Sequence, residues 1–146
     1  MDQKGLLKNF YLFAGVTSND LEAVNAIAER KGYMAGDLVY SEGEVADALF
    51  IVEMGTVDVV PKGKEIVFAT IGSGQGFGEL AFFEGGKRPA SALTRERTYL
   101  IRIPYEELSK LLAERPGLAL LVYRNACAFF AKHFRMMALD LNRRYL

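Results

Sequence analysis

From Gly32 to Pro104 the apolar residues recur at alternate positions, and glycines interrupt the alternation at short intervals. Gly36-Asp37 and Gly43-Glu44 read as turns, with the short strand Leu38-Val39-Tyr40 between them. Residues 49–52 (Leu-Phe-Ile-Val) and 56–60 (Thr-Val-Asp-Val-Val) flank Met54-Gly55. Residues 66–71 follow a turn at Lys62-Gly63, which predicts a hairpin. Residues 98–103 read as a last strand, stopped by Pro104. Strands this short, with turns this regularly placed, predict a closed barrel or a sandwich.

Helical spacing lies on both sides of that region. Leu6, Leu7, Phe10, Tyr11 and Phe13 predict a short amphipathic helix that runs into a turn at Ala14-Gly15. Thr17-Ser18-Asn19-Asp20 supplies capping side chains for a second helix over 18–30, with Leu21, Val24, Ile27 and Ala28 on its apolar face. Beyond the strands, residues 106–113 predict a short helix, and Pro116 suits the start of a long one. Nothing breaks the chain from Leu118 onward, and Leu118, Leu121, Val122, Ala126, Phe129, Phe130, Phe134, Met136, Met137 and Leu141 recur at helical spacing. A helix from Pro116 to Arg144 would be roughly 40 Å long at about 1.5 Å per residue. A domain of this size has a radius of gyration of about 15 Å, so the helix should overhang it. Its apolar surface is wider than the ~100° stripe of one packing contact. The expectation is a homodimer through this helix, centred on positions such as Ala126, Phe129, Phe130 and Met137. Arg124, Lys132 and His133 interrupt the run, which argues against a membrane span.

The 146 residues suffice for one domain with a real core, and 51% of them are hydrophobic. Lys+Arg and Asp+Glu both number 18, so no surface for a nucleic acid is expected. The one cysteine, Cys127, allows no internal disulfide, and the N-terminus has no secretory apolar core; both fit a cytoplasmic protein. One His and one Cys exclude a metal centre built from those ligands. No nucleophile–base pair stands out, so an enzyme is not expected.

The chemistry concentrates in residues 76–92. Glu79 sits between Gly76-Phe77-Gly78 and the apolar run Leu80 to Phe83; Arg88 follows Gly85-Gly86 and precedes a strand-like segment, 90–94. Glycines let backbone amides approach a ligand closely. A helix starting near Leu80 would aim unpaired N–H groups at an anion. Arg88 could fork onto two phosphate oxygens, and Glu79 could accept from a sugar hydroxyl. The set suits one phosphate and one ribose held together.

Phe77-Gly78-Glu79-Leu80-Ala81, a short loop, then Arg88-Pro89-Ala90-Ser91 resembles the phosphate-binding cassette of the cyclic-nucleotide-binding domains. That family includes bacterial catabolite activator proteins, regulatory subunits of cAMP-dependent kinase and nucleotide-gated channels. The turns at Gly36-Asp37 and Gly43-Glu44, Asp47, residues 49–52 and Gly55-Thr56-Val57 match it too, so the resemblance covers nearly the whole chain. It implies that Glu79 holds the ribose 2′-OH, that Arg88 holds the cyclic phosphate, and that cassette amides complete the anion site. It also implies that Val59, Phe68, Ala69 and Ile71 line the ligand, and that His133 lies near the base. Pro89 departs from the pattern, because relatives place a small residue there whose N–H reaches the phosphate, and proline has none. Position 89 also lacks the Thr that cGMP-selective relatives favour.

The expectation is therefore a mainly β fold with flanking helices: a single cyclic-nucleotide-binding domain over 1–146, with N-terminal helices over 1–30, a jelly-roll β-barrel over 31–104 containing the cassette 76–92, and C-terminal helices over 105–146. Its expected function is a regulatory sensor for a cyclic mononucleotide, cAMP before cGMP, with no other cofactor. The chain stops at Leu146, where the activators continue into a helix-turn-helix. Read as a stand-alone domain, it would signal through the C-terminal helix to a dimer or a separate effector protein. The alternative is an interaction domain of the same fold that has lost the nucleotide at Pro89.

Overall fold

A computed structural model of the protein describes residues 1–61, 63 and 66–145, so Lys62 of the expected Lys62-Gly63 turn and the terminal Leu146 lie outside the described residues. The chain enters as α1 (Gln3–Asn9), where the Asp2 side chain accepts from the Gly5 N–H, and continues through a single 3-10 turn, Tyr11–Phe13. Helix α2 (Ser18–Ile27) is capped by Thr17, whose side chain accepts from the Asp20 N–H. It stops short of the expected Arg30. Glu29 and Arg30 instead open β1 (Glu29–Tyr33), which pairs antiparallel with β8 (Thr98–Pro104). The ladder is joined by ion pairs from Arg102 to Glu29 and from Arg30 to Glu53, partners far away in sequence.

The remaining strands are β2 (Leu38–Tyr40), β3 (Ala48–Met54), β4 (Val57–Val60), β5 (Ala69–Ile71), β6 (Gly76–Phe77) and β7 (Ser91–Thr94). They form two antiparallel sheets of four strands, in the orders β1-β8-β3-β6 and β2-β7-β4-β5. The expected closed barrel is corrected to this open pair. Closure needs a hydrogen-bond register that continues around the whole circuit. Here, among the described residues, each ladder stays within its own sheet, and strands of two to seven residues end at turns before they can cross.

Strand β3 explains why the motif Leu49-Phe-Ile-Val52 lacks polar alternation. Successive side chains point to opposite faces of a strand. Leu49 and Ile51 face the helices with Ile101, Ile103, Leu7, Phe13, Val24, Leu108 and Leu118, whereas Phe50 and Val52 face the space between sheets with Tyr40, Val57, Phe77 and Leu100. Both faces of β3 are buried, so both sets are apolar.

Three helices complete the fold: α3 (Leu80–Glu84) in the middle of the chain, then α4 (Tyr105–Glu114) and α5 (Pro116–Tyr145) after β8. Helix α5 buries Leu118, Val122 and Ala126 against its own domain, stacks Phe129 on Tyr11 at 3.8 Å between ring centres, and sets Phe130 edge-on to Phe83. Ala126 therefore cannot centre a contact with a second chain, because the domain already covers it, while Phe129 is half-buried against Tyr11. The exposed apolar residues of α5 are Leu120, Tyr123, Phe134, Met136, Met137, Leu139 and Leu141. Among the described residues, no helix is long and apolar enough to cross a membrane.

Candidate functional site

Strand β6 pairs with the middle of β3, Phe50 to Phe77 and Ile51 to Gly76, and so presents the next residues at the rim of the first sheet. Gly78 turns the chain out of β6 with φ +78, and a Cβ there would lie 3.0 Å from Arg88 Nη1. Only glycine combines that backbone with that approach. Glu79 occupies the cap position of α3, and the first-turn amides of Leu80 and Ala81 have no carbonyl within the helix to bond. From the other side, Gly85 and Gly86 return the chain, and the Arg88 amide donates to the Glu44 carbonyl at 2.8 Å.

The result is a cavity of about 270 Å³ between the sheets and the cassette. Of the expected residues, Val59, Ala69, Ile71, Phe77, Gly78, Glu79, Leu80, Ala81, Arg88, Pro89 and Ala90 line it. Three others do not. The Ser91 hydroxyl accepts from the Glu42 amide at 2.9 Å, which turns it toward the β2 side of its strand. Phe68 is 66% exposed, and the expected strand 66–71 is paired regularly only from Ala69. His133 is exposed on α5, its ring 4.0 Å from that of Phe129 and its Nδ1 2.9 Å from the Phe129 carbonyl oxygen.

Arg88 is the chemical centre. It is 3% exposed, yet its counter-charge is weak: among the described residues the carboxylate paired with it, Asp47, lies 3.9 Å away with its own side chain largely in water. Nη2 donates to the Ala48 carbonyl at 2.6 Å and Nη1 to the Gly78 carbonyl at 3.0 Å, with the Tyr105 hydroxyl a marginal partner at 3.5 Å. The guanidinium lies over the Tyr40 ring, 3.9 Å from its centre. Arginine has five N–H donors, so Nε–H and the second Nη2–H remain for an anion among the described residues. Tyr105 also donates to the Gly78 carbonyl, which ties the cassette turn to α4. Burial pushes the Tyr105 phenol up to about 12.

Glu79 is the other polar wall. It is 8% exposed, and its Oε2 is buried with no partner among the described residues. Burial pushes its carboxyl up to about 7, against the pull of its own backbone amide. Among the described residues no group of three or more His, Cys, Asp or Glu side chains could hold a metal ion.

Sequence reasoning missed Tyr40, Gly76 and Tyr105. Tyr40 belongs to a strand remote in sequence from the cassette, and its only sequence signal is an aromatic just before the Gly43-Glu44 turn whose carbonyl receives the Arg88 amide.

Comparison with known proteins gives the family. The family model for the cyclic nucleotide-binding domain matches residues 30–115. The cyclic AMP receptor protein of Thermus thermophilus is 29% identical over 139 residues, 93% of this chain and 62% of its own. A CRP-like cAMP-activated global transcriptional regulator of Mycobacterium tuberculosis is 29% identical over 111 residues, 74% of this chain and 50% of its own. The chain thus spans about half to two thirds of these relatives. The crystal structure of the Thermus thermophilus catabolite activator protein superposes with a TM-score of 0.76 at 29% identity, covering 90% of this chain and 62% of that one. The N-terminal domain of a transcriptional regulator from Streptomyces coelicolor gives 0.79 at 26% identity, covering 90% and 94%. With the family model matching more than half of the chain and the cassette residues gathered around one cavity, this protein belongs to the cyclic nucleotide-binding domain family.

Proposed function

We propose that the protein is a sensor module for a cyclic purine mononucleotide, cAMP in preference to cGMP, and that occupancy is read out through α5. The observation that carries this reading is Arg88: a buried guanidinium with two free donors, in a cavity whose other polar wall is Glu79. A buried cation without a close counter-ion favours an anion. The free donors suit phosphate oxygens, and a carboxylate accepts from a ribose hydroxyl. Val59, Ala69 and Ile71 supply the apolar wall for the base. The absence of Thr at position 89 is the reason for placing cAMP before cGMP. Calorimetry of the purified protein with cAMP, cGMP and a cyclic dinucleotide tests the reading. Saturable 1:1 binding of a cyclic mononucleotide is expected, and silence toward all three sinks it.

Pro89 favours a second reading, an interaction domain that keeps the fold without the ligand. It lines the cavity and offers no N–H. One missing bond to a charged group costs about 1.5–3 kcal/mol, roughly ten- to a hundred-fold in affinity. If Pro89 is the weak point, Pro89→Ala tightens cAMP binding within that range. A variant no tighter than the parent means that the loop completes the phosphate site by other donors.

The exposed stripe of α5 supports pairing with a second copy. Leu120, Tyr123, Cys127, Phe130, Phe134, Met137 and Leu141, all exposed except the half-buried Phe130, follow one another at alternating steps of three and four, the spacing of a coiled-coil seam. The stripe avoids Leu118, Val122 and Ala126, which the domain has already buried.

A further inference from the structure

Behind the cassette, between the N-terminal turn and α5, lies a second cavity of about 220 Å³ that shares Gly76 and Glu79 with the first. Two buried side-chain polar atoms have no hydrogen-bond partner among the described residues, and both belong to walls of this cavity: Tyr11 Oη and Glu79 Oε2. Buried polar groups are almost always paired, so two orphans on one small cavity call for a shared explanation. The other polar side chains on its wall each have one end of the amide engaged. The Asn9 amide donates to Met1 sulfur at 3.2 Å, and the Gln75 carbonyl accepts from the Gly72 amide at 2.8 Å. Tyr11 and Glu79 are near enough that the carboxylate charge is, after burial, the second influence raising the Tyr11 phenol. Tyr40 and Tyr105 also feel that charge, but neither they nor Arg88 line this cavity, and Tyr105 already donates to Gly78. Tyr11 itself is clamped by α5, its ring stacked on Phe129 with 10° between planes.

We infer that Tyr11 is a positioning residue for Glu79: its hydroxyl turns to donate to Oε2, leaving the other carboxylate oxygen to accept from the ligand, and its ring ties that carboxylate to Phe129 of α5. The part of this inference that concerns ligand rests on the sensor reading above. The pair removes both orphans in one bond, and it gives the cavity wall a physical link to the helix that carries the exposed seam. A carboxylate that rotates freely accepts a ribose hydroxyl less well than one held by a second donor.

The test uses the full chain with ¹³C-labelled glutamate, following the Glu79 carboxyl by NMR titration without ligand. Tyr11→Phe keeps the ring and its stack and removes only the hydroxyl. A donor lost from the ionised carboxylate raises its midpoint, by roughly one pH unit. The same variant should weaken cAMP binding roughly ten-fold. Phe129→Leu, which frees the Tyr11 ring, should raise the midpoint in the same direction by a smaller step. An unmoved midpoint in Tyr11→Phe overturns the inference, and an unmoved midpoint in Phe129→Leu overturns the link to α5. A parent that binds no nucleotide while the midpoint still shifts refutes the sensor reading and leaves the Tyr11–Glu79 pair standing.

Discussion

Arg88 and Glu79 are both charged types held almost out of water, and each is short of the partner that burial normally demands. For Arg88 the shortfall is a pair of free donors, which predicts strong dependence on guanidinium geometry. Arg88→Lys keeps the charge but loses the fork and the stacking on Tyr40. It should weaken cAMP binding by at least about ten-fold, as read by calorimetry; unchanged affinity would mean that Arg88 does not hold the phosphate. For Glu79 the shortfall appears as a proton. Burial pushes its carboxyl up to about 7 from an ordinary 4.5. Between those values the folded state holds a proton that the unfolded state has released, so stability is lost as pH rises through that window. Above it the penalty is on the order of 3 kcal/mol. Glu79→Gln removes the ionisation, so the empty variant should be more stable than the parent at pH 8 and no more stable at pH 4.5. Denaturant melts at the two pH values read this directly, and equal gains at both would contradict the assignment.

At the scale of an element, α5 divides its apolar residues between two jobs. Leu118, Val122 and Ala126 close the helical side of the core, and the stripe through Tyr123, Phe134 and Met137 stays in water. An Asp on the first set would damage the fold, so it could not test assembly. Phe134 is 73% exposed, and Phe134→Asp should leave the domain folded. In a packed pair it would bury an unpaired charge, costing several kcal/mol, enough to separate a modest dimer. Light scattering should then show a dimeric parent and a monomeric variant. In a parallel, in-register pair the exposed Cys127 residues face each other, so mild oxidant should cross-link the parent and not Phe134→Asp. A parent that stays monomeric at high concentration removes the second copy as the cover for this stripe.

Across the whole molecule, β3 couples two apolar clusters that share no side chain. Leu49 and Ile51 hold the helices; Phe50 and Val52 hold the sheets together. The helical layer and the sandwich should therefore unfold as one. Leu49→Ala should cost about 2–5 kcal/mol and Phe50→Ala about 3–5 kcal/mol. Each should lower a single transition, seen alike by far-UV and near-UV circular dichroism. Two separated transitions in either variant would show that the layers are independent.

Local chemistry was legible along the chain because it is carried by neighbours in sequence. Glycine–acid turns, capping side chains, alternating strands and the spacing from Glu79 to Arg88 depend on backbone preferences and short-range geometry alone. They were enough to place β2, β3, β4, β7, β8 and the long helix, but not β1 or β6. What they could not contain is pairing between distant segments. Helix α2 ends at Ile27 because β8 claims Glu29 and Arg30 for a ladder. The sheets stay open because each strand finds its partners within its own layer. Tyr40 reaches Arg88, Tyr11 reaches Phe129, and α5 turns Ala126 inward and Phe134 outward only once the layers have packed. Helical periodicity reveals that a face is apolar but not what covers it, since burial is a property of two surfaces and the sequence describes them one at a time.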